Sequence, residues 1–390
     1  MDSFVIKGGR VVLPDKVAEN TDILIKNGKI ESIGKEEACD NQFDATGCIV
    51  FPGFVDTHVH GGGGADFMDA TVRAFETAVF AHLKHGTTTI VPTAMSATEP
   101  DLTDFLNCYK EFKKVSKYAA LTPGVHLEGP YFSGATAKSG GAQPRNVLRP
   151  FDFDEIDRLL KVADGSILRW DAAPELEDSE KFVKVMHDNG IIAAMAHSNA
   201  DSLEAQKGID SGFTHVTHFY NAVTSYHKVG QKPRAGLVEA VYLNPDVTVE
   251  LICDGCHIPR DIVRLALMIK GADRVSAITD GMRIAGTDMK EGKLGSLKCG
   301  TDVIVDDDVA KLTDMSSFAG SIATMDRCLR VLCKDYGIDV VLAAKMLSTT
   351  PANLINANNI GEIKSGFNAD LVVTDGDFNI KAVYQNGLKV

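Results

Sequence analysis

The strongest constraint on the fold is an alternation of strand-length apolar runs with helical patterns through the middle of the chain. The helical patterns cover residues 70–84, 101–117, 153–163, 178–189, 201–210, 258–270 and 320–335. The apolar runs number eight: GFVDTHVH, TTTIVPT, PGVHLEG, ILRWDAA, IIAAMAH, THVTHFYNA, VTVELICDG and VSAITDG. This order is typical of βα units around a parallel sheet, and eight strands are the number in a TIM barrel. The sequence therefore predicts an α/β fold with a (β/α)8 TIM barrel; an open doubly wound sheet is the alternative.

The two ends of the chain show a different sequence pattern. Short strand-like runs separated by Gly, Asn and Asp fill residues 4–50, and the last thirty residues repeat this pattern. We therefore expect a small β-sandwich domain built from residues 1–52 and 356–390, with the catalytic barrel over residues 53–355.

Charge and hydropathy exclude several classes of partner. The formal net charge is −13, which argues against nucleic acid and anionic membranes because both are bound through clustered Lys and Arg. The sequence shows no apolar run of about 18 residues and no secretory signal at its start, so a cytoplasmic protein is the expectation. The eight cysteines are scattered, and we expect reduced thiols and not a disulfide framework.

Most candidate metal-binding and catalytic residues lie at the ends of the predicted strands. TIM-barrel active sites lie at the carboxyl ends of the strands, and these ends hold the following residues: His58, His60, Glu128, His197, His218, Asp254, His257 and Asp280. His58 and His60 are two apart, so on a strand their rings point to the same side. Imidazole and carboxylate without cysteine suit a catalytic Zn²⁺ or Fe²⁺ site.

Hydrolysis at such a site also needs a group that takes a proton from water and passes it to the leaving atom. Asp280, in AITDG at the end of the last predicted strand, is our candidate. Asp254, in CDGCH, is the competitor.

Taken together, these motifs resemble the amidohydrolase superfamily, and more narrowly the N-acetylglucosamine-6-phosphate deacetylases. The matching motifs follow the family's order along nearly the whole chain: PGFVDTHVHG, GVHLEGPYFS, GAQP, AHSNA, THFYNA, CDGCHIP, ITDG and FAGS. The resemblance implies removal of acetate from N-acetylglucosamine 6-phosphate, with Asp280 as general base and then acid. It further implies that Glu128, His197 and His218 hold the main metal ion, with Zn²⁺ favoured over Fe²⁺. Some members lack the His58–His60 pair and work with one ion, whereas members that keep it can hold two; this chain keeps the pair, so the resemblance implies one or two ions per subunit. The alternative is that both rings only line the barrel mouth.

The resemblance also implies a set of substrate contacts. Asn221 and the backbone of Ala222 would face the phosphate, and His257 a sugar hydroxyl. Ala142 and Gln143 would contact the sugar or its acetamide, and Phe318 and Ala319 would close over the ring. Some relatives carry a histidine in the GGAQP loop, so polarisation of the acetyl carbonyl here would fall to the metal, aided by Gln143.

One departure concerns the phosphate. The family's phosphate-binding arginine lies about eight residues after the Asn-Ala pair, where this chain has Val229. Arg234 is our preferred substitute because its planar fork suits phosphate, and His227 is next, with Lys228 and Lys232 also near. In the family this loop can reach the site of a neighbouring subunit, which implies a homodimer.

Two other functions stay open on the sequence. Other amidohydrolases, such as dihydroorotases and D-aminoacylases, usually carry a lysine on the fourth strand, and ILRWDAAPE has none. A barrel that has lost its chemistry and serves as a binding module would usually lack metal ligands, whereas every expected ligand position here is filled.

Overall fold

The computed structural model describes residues 3–34, 39, 41–134 and 141–390. Eight parallel strands follow one another around a barrel in chain order, which confirms the predicted fold class. The barrel strands, numbered 1 to 8 below, are Phe54–Val59, Thr87–Ala94, Val125–Glu128, Ile167–Ala172, Ile192–Met195, His215–Val216, Thr248–Ile252 and Val275–Ile278. Nearly all of their residues are buried, because helices cover the outer face and side chains fill the interior.

Strands 1 and 8 meet through polar contacts at their ends. The hydroxyl of Thr279 donates to Asp56 Oδ2 over 2.5 Å, and the N–H of Asp280 donates to the carbonyl of His58 over 3.0 Å. Burial raises the pKa of the Asp56 carboxyl to about 7. These contacts hold the segment after strand 8 against the end of strand 1.

A helix follows each barrel strand and packs on the outside. The helices are Val72–Leu83, Glu99–Val115, Phe153–Ala163, Ser179–Asp188, Ser202–Ser211, Leu237–Leu243, Arg260–Lys270 and Met325–Arg330, the last continuing as a π-helical turn over Val331–Asp335. Several begin at a side chain that caps the first turn; the carboxylate of Asp152, for example, accepts from two backbone N–H groups of its helix. Shorter segments, Val340–Ala344, Lys345–Thr349 and Thr350–Leu354, complete the barrel wall. Among the described residues, no helix is long and apolar enough to cross a membrane.

Both termini contribute to a separate sheet. Its strands are Phe4–Val12, Val17–Lys26, Lys29–Ile33, Gln42–Asp44, Ile49–Pro52, Leu371–Thr374, Ile380–Gln385 and Leu388–Lys389. The two ends of the chain join where Ile49–Pro52 pairs antiparallel with Leu371–Thr374. The sheet has its own apolar core, in which Phe4 stacks on Tyr384 with ring centroids 5.1 Å apart. The exact domain limits of 52 and 356 stay a prediction.

Two additions lie at the end of the barrel where the strands terminate. An exposed hairpin, His227–Val229 with Lys232–Arg234, follows strand 6. After strand 8, a three-stranded antiparallel sheet comprises Glu291–Leu294, Thr301–Asp306 and Val309–Leu312. Smaller elements are the two-residue strands Gly61–Gly62 and Ala65–Asp66 and the 3-10 turns Phe67–Asp69, Ala119–Leu121, Arg145–Val147 and Ala272–Arg274.

Candidate active site

The glycine-rich turn after strand 1 lets the chain fold tightly beside His60. A Cβ on Gly61 would lie 2.3 Å from the carbonyl of Ala65, and one on Gly62 would lie 2.8 Å from Nε2 of His82. His82 is buried on the helix that follows, and its Nε2 lies 2.8 Å from the carbonyl of Gly61, to which it donates. The turn is thus packed against helix Val72–Leu83, which keeps the His58–His60 segment in place.

Three of the predicted metal-binding and catalytic residues have backbone conformations in the left-handed region. His197, His218 and Asp280 have φ values of 44°, 32° and 48°. This conformation is uncommon outside glycine and costs of order 1–3 kcal/mol when the surroundings enforce it. Each residue lies two positions after the end of a barrel strand, so the turn directs the side chain over the mouth of the barrel.

Glu128, His197 and His218 form one cluster suited to a metal ion. Oε1 of Glu128 lies 3.0 Å from Nε2 of His197 and 3.0 Å from Nε2 of His218, and the two Nε2 atoms are 3.1 Å apart. The three residues come from the ends of strands 3, 5 and 6, so the barrel itself sets their spacing.

His58, His60 and Glu128 form a second cluster that shares the glutamate with the first. Nε2 of His60 lies 3.3 Å from Oε2 of Glu128 and 3.3 Å from Nε2 of His58. Oδ1 of Asp280 lies 3.2 Å from Nε2 of His60 and 3.6 Å from Nε2 of His58. Oε1 of Glu128 thus faces His197 and His218, and Oε2 faces His60, while Nε2 of His58 lies 3.9 Å from Oε1. Glu128 is therefore shared by both clusters.

His60 and His218 each direct Nε2 toward the centre of the site and use Nδ1 to fix the orientation of the ring. Nδ1 of His60 lies 3.3 Å from the carbonyl of Thr93, and Nδ1 of His218 lies 3.2 Å from the carbonyl of Asn221. A carbonyl accepts only, so Nδ1 donates and the Nε2 lone pair is left for a ligand bond. The donor set, imidazole and carboxylate without thiolate, fits the divalent metal use that the family implies.

Electrostatics favour positive charge between the carboxylates. Burial opposes charge on His60, but hydrogen bonds to Asp280 and Glu128 raise its pKa well above the ordinary value. In the same way, Glu128 outweighs burial and raises the pKa of His218 to about 9. Burial raises the pKa of Glu128, but the contacting imidazoles lower it well below its usual range. The carboxylates thus favour positive charge at this centre, either as protons on the imidazoles or as a bound cation.

A cavity of about 160 Å³ opens directly above the two clusters. Its lining includes His60, Glu128, His197, His218 and Asp280. Most of the predicted substrate contacts line it too: Ala142, Gln143, Asn221, Ala222, His257 and Phe318. The metal clusters and the expected sugar contacts thus meet in one cavity.

Among the described residues, three of the predicted substrate contacts do not line this cavity. Ala319 is fully buried between the lining residues Phe318 and Gly320. His227 and Arg234 face each other across the exposed hairpin and do not line the cavity of their own subunit. Their assignment to the substrate stays a prediction.

Asp254, the competing base, is placed for a different task. Its Oδ2 accepts a 2.7 Å hydrogen bond from Nδ1 of His257, and its Oδ1 accepts from the backbone of Cys256 and His257. It is buried and is absent from the described cavity lining. Asp254 orients His257, whereas Asp280 faces the cavity.

The structure adds apolar lining that the sequence motifs missed, including Met95, Ile252 and Leu294. Met95 immediately follows strand 2, and extending the strand-end rule to every strand would have found it. Leu294 belongs to the antiparallel sheet inserted after strand 8, for which no motif gave a signal.

Comparison with known proteins agrees with the motifs. The pattern of the amidohydrolase family matches residues 49–390. The N-acetylglucosamine-6-phosphate deacetylase of Bacillus subtilis (strain 168) is 30% identical over 389 residues, which cover 97% of this chain and 95% of that protein. The N-acetylgalactosamine-6-phosphate deacetylase of Escherichia coli O157:H7 is 26% identical over 386 residues, covering 99% and 98%.

The fold agrees equally well with a solved structure. A mutant N-acetyl-D-glucosamine-6-phosphate deacetylase from Mycobacterium smegmatis, in complex with N-acetyl-D-glucosamine-6-phosphate, superposes with a TM-score of 0.90 and 29% identity. The match covers 100% of this chain and 99% of the other. This chain therefore belongs to the amidohydrolase family and, within it, to the N-acetylglucosamine-6-phosphate deacetylases.

Proposed function

We propose that this protein hydrolyses the 2-acetamido group of N-acetyl-D-glucosamine 6-phosphate, giving D-glucosamine 6-phosphate and acetate in amino-sugar catabolism and recycling. The observation that carries the proposal is the pair of ligand clusters that share Glu128 beneath the cavity lined by the expected sugar contacts, with Asp280 at the same centre. We further infer a cytoplasmic enzyme, because phosphorylated sugars do not cross membranes unaided.

Glu128, His197 and His218 would hold the main ion, and His58 and His60 would hold a second one, with Glu128 belonging to both ligand sets. Zn²⁺ suits this set best and Fe²⁺ next. When bound, such an ion polarises a carbonyl and lowers the pKa of a water molecule toward 7. The remaining steps belong to side chains of this protein.

Asp280 would move the proton. Burial raises the pKa of its carboxyl, but His58 and His60 lower it below the usual value, so the group is ionised and ready to accept. Oδ1 lies within 3.2–3.6 Å of Nε2 in both histidines, at the centre where the reacting groups meet. Asp280 takes a proton from the attacking water and then gives it to the departing nitrogen of the sugar.

Gln143 would help to hold the acetyl group. Its Oε1 accepts from the N–H of Ser96 over 3.0 Å, and its Nε2 donates to Oε2 of Glu128 over 2.7 Å. Because an amide nitrogen has two hydrogens, one N–H remains for a carbonyl oxygen in the cavity. The fixed amide therefore supplies an oriented donor beside the metal clusters.

The 6-phosphate would bind at Asn221 and the backbone of Ala222. Nδ2 of Asn221 is buried and has no hydrogen-bond partner within the described part of the chain. The described lining contains no Lys or Arg, yet a dianion is best bound by cationic donors. We infer that the hairpin carrying His227 and Arg234 supplies them across the interface of a homodimer.

The test is a substrate panel on the metal-loaded protein. Acetate release should be fastest with N-acetylglucosamine 6-phosphate, and much slower with unphosphorylated N-acetylglucosamine and with N-acetylgalactosamine 6-phosphate. Dihydroorotate and N-acyl-D-amino acids serve as controls for the other amidohydrolase reactions and should not turn over. Preference for any of these over N-acetylglucosamine 6-phosphate would assign a different substrate.

A further inference from the structure

A buried charged network lies inside the barrel, directly below the metal clusters. Its members come from strands 1, 3, 4, 6 and 7: Thr57, His126, Arg169, Asp171, His215 and Glu250. All are almost completely buried, although barrel interiors are usually filled by branched apolar side chains. Burying charges is costly unless each is paired, and the proton transfer described above uses none of them.

Arg169 and Glu250 form the core of the network. Nη1 and Nη2 of Arg169 donate to Oε2 and Oε1 of Glu250 over 2.7 and 2.9 Å, a two-point contact. The hydroxyl of Thr57 adds a 3.2 Å hydrogen bond to Oε2. The two-point contact with the charged guanidinium fixes the orientation of the carboxylate.

This carboxylate also touches a candidate metal ligand. Oε1 of Glu250 lies 2.9 Å from Nδ1 of His58. Nη2 of Arg169 also approaches Nδ1 of His58, at the longer distance of 3.4 Å. A carboxylate only accepts, so the short contact requires a proton on Nδ1. The lone pair of Nε2 then points to His60 and Glu128, as a metal ligand requires.

We propose that Glu250 is the positioning residue of the His58–His60 metal site, and that Arg169 fixes Glu250 for this task. Glu250 sets both the tautomer and the ring orientation of His58, and thereby the affinity for the second ion. The inference deepens the proposed function, on which it rests only for the presence of divalent ions. The competing explanation is structural: Glu250 would merely neutralise Arg169.

The test is cobalt binding by Glu250→Gln, measured as ions per chain and by the visible absorption of bound Co²⁺. Wild type should bind two Co²⁺ ions. In Glu250→Gln the second ion should bind about 10–100-fold more weakly, as found when the hydrogen-bond partner of a metal ligand is removed, and its part of the absorption should change. Asp171→Asn is the matched control, because Asp171 lies 3.4 Å from Arg169 and 2.9 Å from His126 in the same network; this variant should bind both ions as wild type does.

Glu250→Gln leaves Arg169 buried without its counter-charge, so a second measurement uses the wild-type chain. In metal-free protein with ¹⁵N-labelled histidine, the His58 signal, identified by its loss in His58→Ala, should show the proton on Nδ1. A proton on Nε2, a wild type that binds a single Co²⁺, or unchanged binding in a folded Glu250→Gln would overturn the inference. Acetate release by wild type is measured separately. If no acetate is released while the cobalt and NMR results are as expected, the proposed function is wrong and the inferred role of Glu250 is supported.

Discussion

Asp280 owes its proposed role to its surroundings. Its backbone N–H is bonded to His58 and its carbonyl accepts from Ser321, so the residue is clamped between strand 1 and the segment after strand 8. Asp254 ends the neighbouring strand in a similar TDG-like context, yet its oxygens are taken up by His257 and Cys256. Spacing in the sequence named both aspartates as candidates; only the hydrogen bonds separate them.

Replacing Asp280 tests the proton transfer. Asp280→Asn keeps the shape but cannot accept the proton, and general acid–base catalysis contributes roughly 10²- to 10⁴-fold. We expect kcat to fall at least about 100-fold with the metal content retained. Asp254→Asn is the control: it loosens His257 and should affect KM more than kcat. If Asp280→Asn keeps most of the activity, another group is the base.

Metal analysis of ligand variants tests the division between the two clusters. Glu128→Gln, His197→Ala and His218→Ala should each remove the main ion together with the activity, because each removes one of its three protein ligands. The double change of His58→Ala with His60→Ala should lose only the second ion and a smaller part of the rate. A metal-free double variant would show that the ligands are divided wrongly.

The elements that form the barrel were predictable because their burial leaves a continuous apolar signal. Seven of the eight strands lie within the predicted apolar runs, and strand 2 extends one residue beyond its run, to Ala94. Strand 6, only His215–Val216, was found through its histidine motif. The elements that were missed carry little such signal. The hairpin residues 227–234 are exposed throughout, and helix Leu237–Leu243 has only seven residues. The sheet over residues 291–312 is partly exposed and gave no regular alternation.

The glycine turn and helix Val72–Leu83 share a pH-dependent contact through His82. Burial lowers the pKa of this histidine to about 4, whereas in the unfolded chain it is near the ordinary 6.5. Between these values the unfolded chain binds the extra proton, so stability is complete above pH 6.5 and is lost as the pH falls toward 4. Protonation of His82 therefore lowers the free energy of unfolding by about 3 kcal/mol between pH 6.5 and pH 4, at 1.36 kcal/mol per pKa unit.

Urea unfolding at pH 7 and pH 4.5 measures this effect in wild type and His82→Gln. Glutamine keeps a donor for the carbonyl of Gly61 but does not titrate, so the variant should lose less stability between the two pH values. Equal losses in both proteins would show that His82 is not the source.

The molecule as a whole has to bind a dianion although its net charge is −13. Its described cavity lining supplies Asn221 but no Lys or Arg, while His227 and Arg234 are exposed on the hairpin. A site completed by a neighbouring subunit reconciles these facts. No single-chain sequence pattern reveals such a complement, which is why the sequence offered four candidate cations and favoured Arg234 only for its planar fork.

Arg234→Ala tests this arrangement. It should raise KM for N-acetylglucosamine 6-phosphate by roughly tenfold or more, since a charge-assisted hydrogen bond contributes about 1.5–3 kcal/mol. Activity on the unphosphorylated sugar should stay nearly unchanged, and His227→Ala serves as the paired variant. If neither change separates the two substrates, the phosphate is bound elsewhere.

Mixed dimers then show from which subunit Arg234 acts. When Arg234→Ala and Asp280→Asn chains are combined, a site with intact Asp280 regains Arg234 only from its neighbour. A low KM restored in the mixture supports binding across the interface; a KM as high as that of Arg234→Ala alone places the arginine in its own subunit.

Hydrolysis of N-acetylglucosamine 6-phosphate in ¹⁸O-labelled water tests the central claim most directly. The account predicts equal amounts of acetate and glucosamine 6-phosphate, with one ¹⁸O in each acetate, and loss of the reaction on chelation with recovery on adding Zn²⁺. Absence of acetate from the metal-loaded protein, or acetate without the label, would contradict it.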